Sequence, residues 1–378
     1  MICYLSKFRL PQPSLHASLC FQRLTHLQRL HTHINKSGAI SAPYSIVFDI
    51  DGVLVKGKQV LPQTRHALEL LWKNKVSYIF LTNGGGVREV QKAEELSKKL
   101  GVPVNYEQLI VSHSPMRALV PKYKDANVLV VGGKGLSCKH VAEDYGFKNV
   151  VTPEEIHNAH PSVFPLSTHH TRPTSLEEEY IRKLEKPIDV VMVFHDSLNW
   201  GRDLQICLDV LVSKGGKLGT IKDPDELHSS KQSTPIYFSN PDVVWSTDFP
   251  VPRFGQGTFK LCLEKIYKHL TGQELEYTTF GKPMKSTYEY AESVLDKISP
   301  LADGDNTKRT VYVVGDNPSS DIAGANAYGW NSVLVKTGIF KPKNNENHHI
   351  HPATVVVDHV EDAVRWIIEK EKMKTQKQ

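Results

Sequence analysis

An α/β fold is what this sequence predicts: a parallel sheet with helices on both faces, and a second α/β unit inserted into it. Two observations carry that reading. Short apolar runs of strand length alternate with longer amphipathic segments from residue 44 onward. Such βα alternation calls for parallel strands covered by helices. From about residue 127 to 254 the alternation forms a unit of its own. The chain therefore divides into a tail (1–43), a main unit in two parts (44–126 and 255–370), the insert (127–254) and a short C-terminal tail (371–378).

The elements follow in order. Residues 46–48 form a short buried strand, ending in Asp49-Ile50-Asp51-Gly52. Residues 61–72 read as a helix, 77–81 as the next strand, and 87–100 as a helix closed by Gly101 and Pro103. A short helix covers 114–120. In the insert, 128–131, 188–194 and 236–238 are strands, with helices at 136–145 and 204–212. Residues 152–187 read as a loop with a short helix, and 222–235 as a polar loop. Helices follow at 259–267, 285–294, 322–327 and 361–371, with strands at 311–314 and 333–335.

The chain has 378 residues, 40% hydrophobic and 23% charged, enough apolar material for a sizeable core. No apolar run approaches the ~18 residues of a membrane helix. The formal charge of +5 is local. Residues 1–48 hold no acid but do hold Lys7, Arg9, Arg23, Arg29 and Lys36. Setting those five aside leaves 41 basic against 41 acidic residues, so the body is neutral. Nothing global favours nucleic acid or an anionic membrane. An acid-free tail containing arginine and serine reads as a mitochondrial transit peptide, against the blander alternative of a disordered tail. Five scattered cysteines without a C-x-x-C pair argue for reduced thiols and against zinc. His348, His349 and His351 have metal-like spacing, but their Asn-rich surroundings read as a solvated loop.

Four predicted element ends carry polar groups. Asp49 and Asp51 follow the first strand, and Thr82-Asn83-Gly84-Gly85-Gly86 follows the second. Gly281-Lys282-Pro283 precedes a helix, and Gly315-Asp316-Asn317-Pro318 with Asp321 follows the strand at 311–314. Paired carboxylates are costly unless a cation or a shared proton relieves them. Each part suits phosphoryl transfer. Asp49 is the candidate nucleophile. Asp51 is the candidate acid and base, and lends a metal only its backbone carbonyl. Asp49, that carbonyl and Asp316 can supply oxygen ligands to Mg²⁺. Thr82, Asn83 and the adjoining backbone N–H groups can hold a phosphoryl group, and Lys282 can balance its charge. Asp321 would orient either the metal's water shell or Lys282. Each motif alone has an ordinary structural use, such as a turn, a cap or a surface charge. All four in this order form a specific signal.

The set resembles the haloacid dehalogenase superfamily of Rossmann-like hydrolases over residues 44–368. The insert lies where that superfamily carries its C2-type cap. Asn240-Pro241-Asp242, Gly255-Gln256-Gly257 and Phe280-Gly281-Lys282-Pro283 are similar to the IIA cap subclass, and the triple glycine and Arg253 resemble the mitochondrial branch named after the cat eye syndrome critical region protein. The resemblance implies a Mg²⁺-dependent phosphatase in the mitochondrial matrix, acting on a small phosphorylated substrate, and allows a homodimer through the cap. It implies that Asp49 is the nucleophile, Asp51 the acid and base, Thr82, Asn83 and Lys282 the phosphate contacts and Asp316 a metal ligand. One departure stands out. Many members of the subclass carry a second Asn or a Ser after Thr-Asn, where this chain has three glycines. Substrate preferences known in the subclass therefore transfer poorly.

Asp196, Asn199, Trp200, Asn240 and Arg253 lie near ends of insert elements and are candidates to touch the leaving group. Each has a plainer use: Asp196 as a helix cap, Trp200 and Trp245 as buried area. Arg253 has the strongest case, since a second anionic group on the substrate would suit a guanidinium. The competing reading is a non-catalytic mitochondrial scaffold on the same fold. The intact set Asp49, Asp51, Lys282 and Asp316 counts against it. Dehalogenation has no need of Asp51, and an ion pump would require membrane spans.

Overall fold

A computed structural model describes residues 42–166, 185–245, 247, 249–300, 309–342 and 346–376. Nearly all of the segment read as a targeting peptide lies outside them, as do residues 167–184.

Six parallel strands form the main sheet in the order Val355–Val357, Asn331–Val335, Thr310–Gly315, Tyr44–Phe48, Ser77–Leu81, Leu109–Ile110. Alternate side chains leave the sheet on opposite faces. Ile46, Phe48, Tyr78, Phe80, Tyr312 and Val314 enter one core, under helices Thr64–Lys73, Glu89–Leu100 and Val360–Thr375. Val47, Ile79, Leu81, Val311 and Val313 enter the other, under helix Lys285–Ile298 and the short helix Ala323–Tyr328. Burial on both faces explains why these strands are continuously apolar.

The insert is a second all-parallel sheet, ordered Tyr277–Thr279, Ile236–Phe238, Val190–Val193, Asn127–Val131, Asn149–Val151. Helices Pro153–Ala159, Trp200–Val212 and Gln256–Thr271 cover one face, and Ser137–Tyr145 the other. This cap reaches further along the chain than the division at 254/255 allowed. Phe259, Leu263 and Tyr267 pack with Leu129, Val193 and Phe238, and Tyr277–Thr279 pairs with Ile236–Phe238. The main unit resumes near Gly281. The sequence hides this because Tyr277–Thr279 is a short, largely exposed edge strand without an apolar run. The closing helix also continues to Thr375 rather than ending at 371, which carries the main unit past the boundary at 370. Glu371 is buried there and accepts a hydrogen bond from the Tyr312 hydroxyl at 2.5 Å, which anchors an otherwise polar last turn.

The carboxyl ends of the two sheets meet at one seam. The Asn240 side chain, just beyond Ile236–Phe238, donates through Nδ2 to the Asn83 backbone carbonyl at 3.1 Å, just beyond Ser77–Leu81. Ser239 and Ser112 hydroxyls lie 3.4 Å apart across the same seam.

Candidate active site

The first strand ends with the Asp49 amide donating to the Val314 carbonyl at 2.9 Å, which holds Asp49 against the neighbouring strand. Asp316 follows that neighbour. Gly52 has φ +87°, and a Cβ there would stand 2.4 Å from an Asp316 carboxylate oxygen. Only glycine lets the turn after Asp51 pass so close to Asp316. The Ile339 amide donates to Asp316 at 2.6 Å and fixes its carboxylate.

Lys282 lies at the centre. Its ammonium is 2.5 Å from Asp49 and 2.6 Å from Asp321, and it donates to the Leu81 carbonyl at 2.8 Å. Asp321 also accepts from the amides of Asp316 (3.1 Å) and Asn317 (3.0 Å). Asp49, Asp316 and Asp321 are all buried, and each offers a carboxylate oxygen within 4.8 Å of the others. The group is all oxygen and carries three carboxylates around the single Lys282 ammonium. That excess of negative charge fits a hard divalent cation.

The electrostatics follow from burial. It pushes Asp49 well above the ordinary carboxylate range, with Lys282 pulling back and Asp321 and Asp316 adding to the rise. Asp316 is raised to about 8 by burial and by Asp321. Lys282 is raised because Asp321 and Asp49 outweigh a desolvation penalty of the opposite sign. Asp51 is also raised, chiefly by burial, with Lys92, Lys99 and Lys282 opposing. A carboxyl that keeps its proton to higher pH than usual is better suited to proton donation.

The Thr82 hydroxyl accepts from the Gly84 amide at 2.9 Å, which leaves its own proton to donate. The Asn83 side chain is turned elsewhere. Its Oδ1 accepts from the Lys282 backbone N–H at 2.7 Å, and its Nδ2 donates to the Lys282 carbonyl at 3.0 Å and to Asp242 at 2.9 Å. Asn83 thus clamps the lysine segment. Five of the seven site residues named from sequence, Asp49, Asn83, Lys282, Asp316 and Asp321, gather within this one network; Thr82 adjoins it as the neighbour of Asn83, and Asp51 through the charge of Lys282.

Among the cap candidates, Asn240 reaches the site through Asn83. Asn199 caps helix Trp200–Val212 by accepting from the Arg202 amide, the role suggested for Asp196. Asp196 lies instead beside His195, at 3.8 Å. Trp200 packs on Phe259 and Phe254. Trp245, expected to bury area, remains 41% exposed. Arg253 stacks over Phe249 at 4.4 Å, on an exposed hairpin with Phe254 and Val251. The histidines at 348, 349 and 351 stack on one another, and their donor atoms do not converge as the aspartates do. Sequence reasoning gave Asp242 no role. Its carboxyl is raised to about 6, by burial first, with the Asn83 hydrogen bond and Lys282 opposing. The signal was present in Asn240-Pro241-Asp242, where the Asn240 side chain accepts from the Asp242 amide at 2.8 Å.

Residues 46–148 match the family model of haloacid dehalogenase-like hydrolases, and 279–363 match a second model of that family. The two stretches lie on either side of most of the cap, the first running into it, and contain all seven site residues. A mitochondrial hydrolase of Saccharomyces cerevisiae is 39% identical over 356 residues, covering 87% of this chain and 97% of the yeast protein. This chain belongs to the haloacid dehalogenase-like hydrolases. A cardiolipin synthase (CMP-forming)/mitochondrial hydrolase fusion protein of Schizosaccharomyces pombe is 40% identical over 335 residues. That match covers 87% of this hydrolase but 54% of the fusion protein, so the chain spans about half that relative's length. Solved structures share the fold at lower identity. A hypothetical protein of Pyrococcus horikoshii aligns with TM-score 0.58 at 21% identity, over 86% of this chain and 99% of that one. A p-nitrophenyl phosphatase of Archaeoglobus fulgidus aligns with TM-score 0.55 at 19% identity, over 85% and 98%. A glycerol phosphate phosphatase of Mycobacterium tuberculosis, solved with calcium, aligns with TM-score 0.53 at 18% identity, over 84% and 73%.

Proposed function

We propose that this hydrolase is a Mg²⁺-dependent phosphomonoesterase that works through an aspartyl-phosphate on Asp49. The carrying observation is Lys282, bonded to both Asp49 and Asp321 inside a buried group that also holds Asp316. Asp49, Asp316 and the Asp51 backbone carbonyl would hold the metal. When bound, Mg²⁺ would neutralise the carboxylates and withdraw charge from the phosphoryl oxygens. Asp321 is already committed to Lys282 and two backbone amides, which supports a positioning role for it.

In the first step an Asp49 oxygen attacks phosphorus as the bond to the leaving alcohol breaks. Asp51 gives its proton to that alcohol. In the second step Asp51 takes a proton from water, which attacks phosphorus, releases phosphate and restores Asp49. Thr82 donates to a phosphoryl oxygen, and the backbone of residues 83–85 supplies further donors. Lys282 offsets the charge of the transferring group.

The phosphatases among the fold neighbours support a phosphate ester as substrate. The glycerol phosphate phosphatase and the cardiolipin synthase fusion favour phosphorylated glycerol compounds as the first class to screen. Relatives named mitochondrial hydrolases support a mitochondrial location, and the acid-free tail supports delivery to the matrix. A homodimer through the cap is a further expectation, read by light scattering. The function is tested by phosphate release from p-nitrophenyl phosphate and a panel of metabolite esters, with and without Mg²⁺. Metal-dependent turnover supports the proposal. No turnover on any ester, with or without Mg²⁺, would return the chain to the scaffold reading.

A further inference from the structure

The phosphate loop is tied to the cap by a second, buried network that the catalytic scheme does not use. Glu89 opens helix Glu89–Leu100, three residues after Gly86, and is buried. Its carboxylate accepts from the Ser114 hydroxyl at 2.7 Å, the Tyr145 hydroxyl at 2.6 Å and Arg117 at 3.1 Å. Tyr145 ends the cap helix Ser137–Tyr145, and its oxygen also lies 2.7 Å from His113 Nδ1. Arg117 stacks over the Tyr145 ring at 4.1 Å. Ser114 and Arg117 belong to the passage from main unit to cap. An ion pair between Arg88 and Asp144 runs parallel to this network at the surface.

Ser112 and His113, at the head of the same passage, touch the loop. The Ser112 amide donates to the Gly84 carbonyl at 3.0 Å. A Cβ on Gly85 would stand 2.6 Å from the Ser112 hydroxyl and 2.9 Å from the His113 ring. The start of the Glu89 helix, the passage to the cap and the cap helix therefore share one carboxylate, directly behind the backbone that would bind phosphate. Burying Glu89 as an anion is costly unless every partner is present.

We infer that Glu89 and Tyr145 form a latch that positions the Gly84, Gly85 and Gly86 backbone for phosphate when the cap is seated. They are positioning residues, since neither reaches Asp49 or the phosphoryl site. The inference rests on the phosphatase reading for its kinetic consequences, but phosphate binding reads it directly.

The test uses the full chain with Mg²⁺ and three measurements: inorganic phosphate affinity by calorimetry, kcat and KM on p-nitrophenyl phosphate, and thermal midpoint. Tyr145→Phe keeps the ring and removes the hydroxyl. The latch predicts about tenfold weaker phosphate binding and a matching rise in KM, with kcat within about twofold, the signature of lost uniform binding. Glu89→Gln should act in the same direction, and the double variant should be little worse than the weaker binder of the two. Val210→Ala, in the cap core away from the loop, controls for stability. It should lower the midpoint and leave phosphate affinity unchanged. Wild-type phosphate affinity in folded Tyr145→Phe would overturn the latch, and so would an equal loss in Val210→Ala. If Glu89→Gln fails to fold, Arg117→Lys replaces it under the same criterion. Absence of turnover in the wild type would refute the phosphatase reading alone, since phosphate affinity still decides the latch.

Discussion

The main sheet and the cap sheet share one architecture and differ in what their strand ends carry. Both are all-parallel, buried on both faces and aimed at the same seam. The main sheet ends in Asp49, Thr82 and Asp316, with Lys282 drawn between them. The cap sheet meets the seam mainly with Ser239 and Asn240, which hydrogen-bond, and with the His195 segment, whose ring packs against Gly86. Three buried carboxylates around one ammonium are a poor way to stabilise a fold. Their presence in one sheet and scarcity in the other mark the main sheet as the part proposed to perform the chemistry and the cap as the part proposed to shape the site. A parallel α/β scaffold thus predicts where a site will be, and only the side chains at its strand ends decide what the site does.

That contrast is open to attack. Asp49→Asn should lower kcat on p-nitrophenyl phosphate by more than about 10⁴-fold, since it removes the proposed nucleophile. Arg253→Ala in the cap should change it by less than about threefold. Asp51→Asn should cost about 10²–10⁴-fold, the range of general acid–base catalysis. It should leave Mg²⁺ affinity, measured by calorimetry, unchanged, because the proposed ligand there is the carbonyl. Lys282→Met should destabilise the fold by about 3–5 kcal/mol in denaturant titrations, because Asp49 and Asp321 lose their shared partner inside the protein. An equally large stability loss from Asn240→Ala would erase the distinction between the two sheets.

The smallest effect concerns pH. Asp242 has a folded pKa raised to about 6. Between roughly pH 4 and pH 6 the folded state holds a proton that the unfolded state has lost, so stability falls as pH rises through that window. The contribution is complete below the unfolded pKa and gone above about 6. In metal-free buffer Asp242→Asn should make this slope shallower, with Asp49, Asp51 and Asp316 supplying the remainder, and be about 3 kcal/mol more stable than wild type at pH 7.5. An undiminished slope in the variant would assign it to other groups.

The main sheet was legible because its central strands are long apolar runs ending abruptly in charge, as at Phe48-Asp49 and Val314-Gly315-Asp316. Its edges were not. Leu109–Ile110 and Val355–Val357 are too short to show a period. The cap boundary was misread because its last strand, Tyr277–Thr279, gains its identity from pairing rather than from burial. Asp242, Glu89 and Tyr145 received no role from sequence for another reason. One polar residue in a turn or on a helix has many ordinary uses, and only folding brings partners more than fifty residues apart into contact. The backbone of the Asn83–Gly84 turn was read as a phosphate contact; the separate use of the Asn83 side chain was not legible, because the Lys282 backbone that it clamps lies 199 residues away.

The most direct measurement is acid-quench mass spectrometry of the enzyme during turnover of p-nitrophenyl phosphate with Mg²⁺. The account predicts one added phosphoryl group on the peptide containing Asp49, lost on treatment with hydroxylamine and absent in Asp49→Asn. Undiminished turnover by Asp49→Asn, or a phosphoryl group trapped on any other residue, would contradict it.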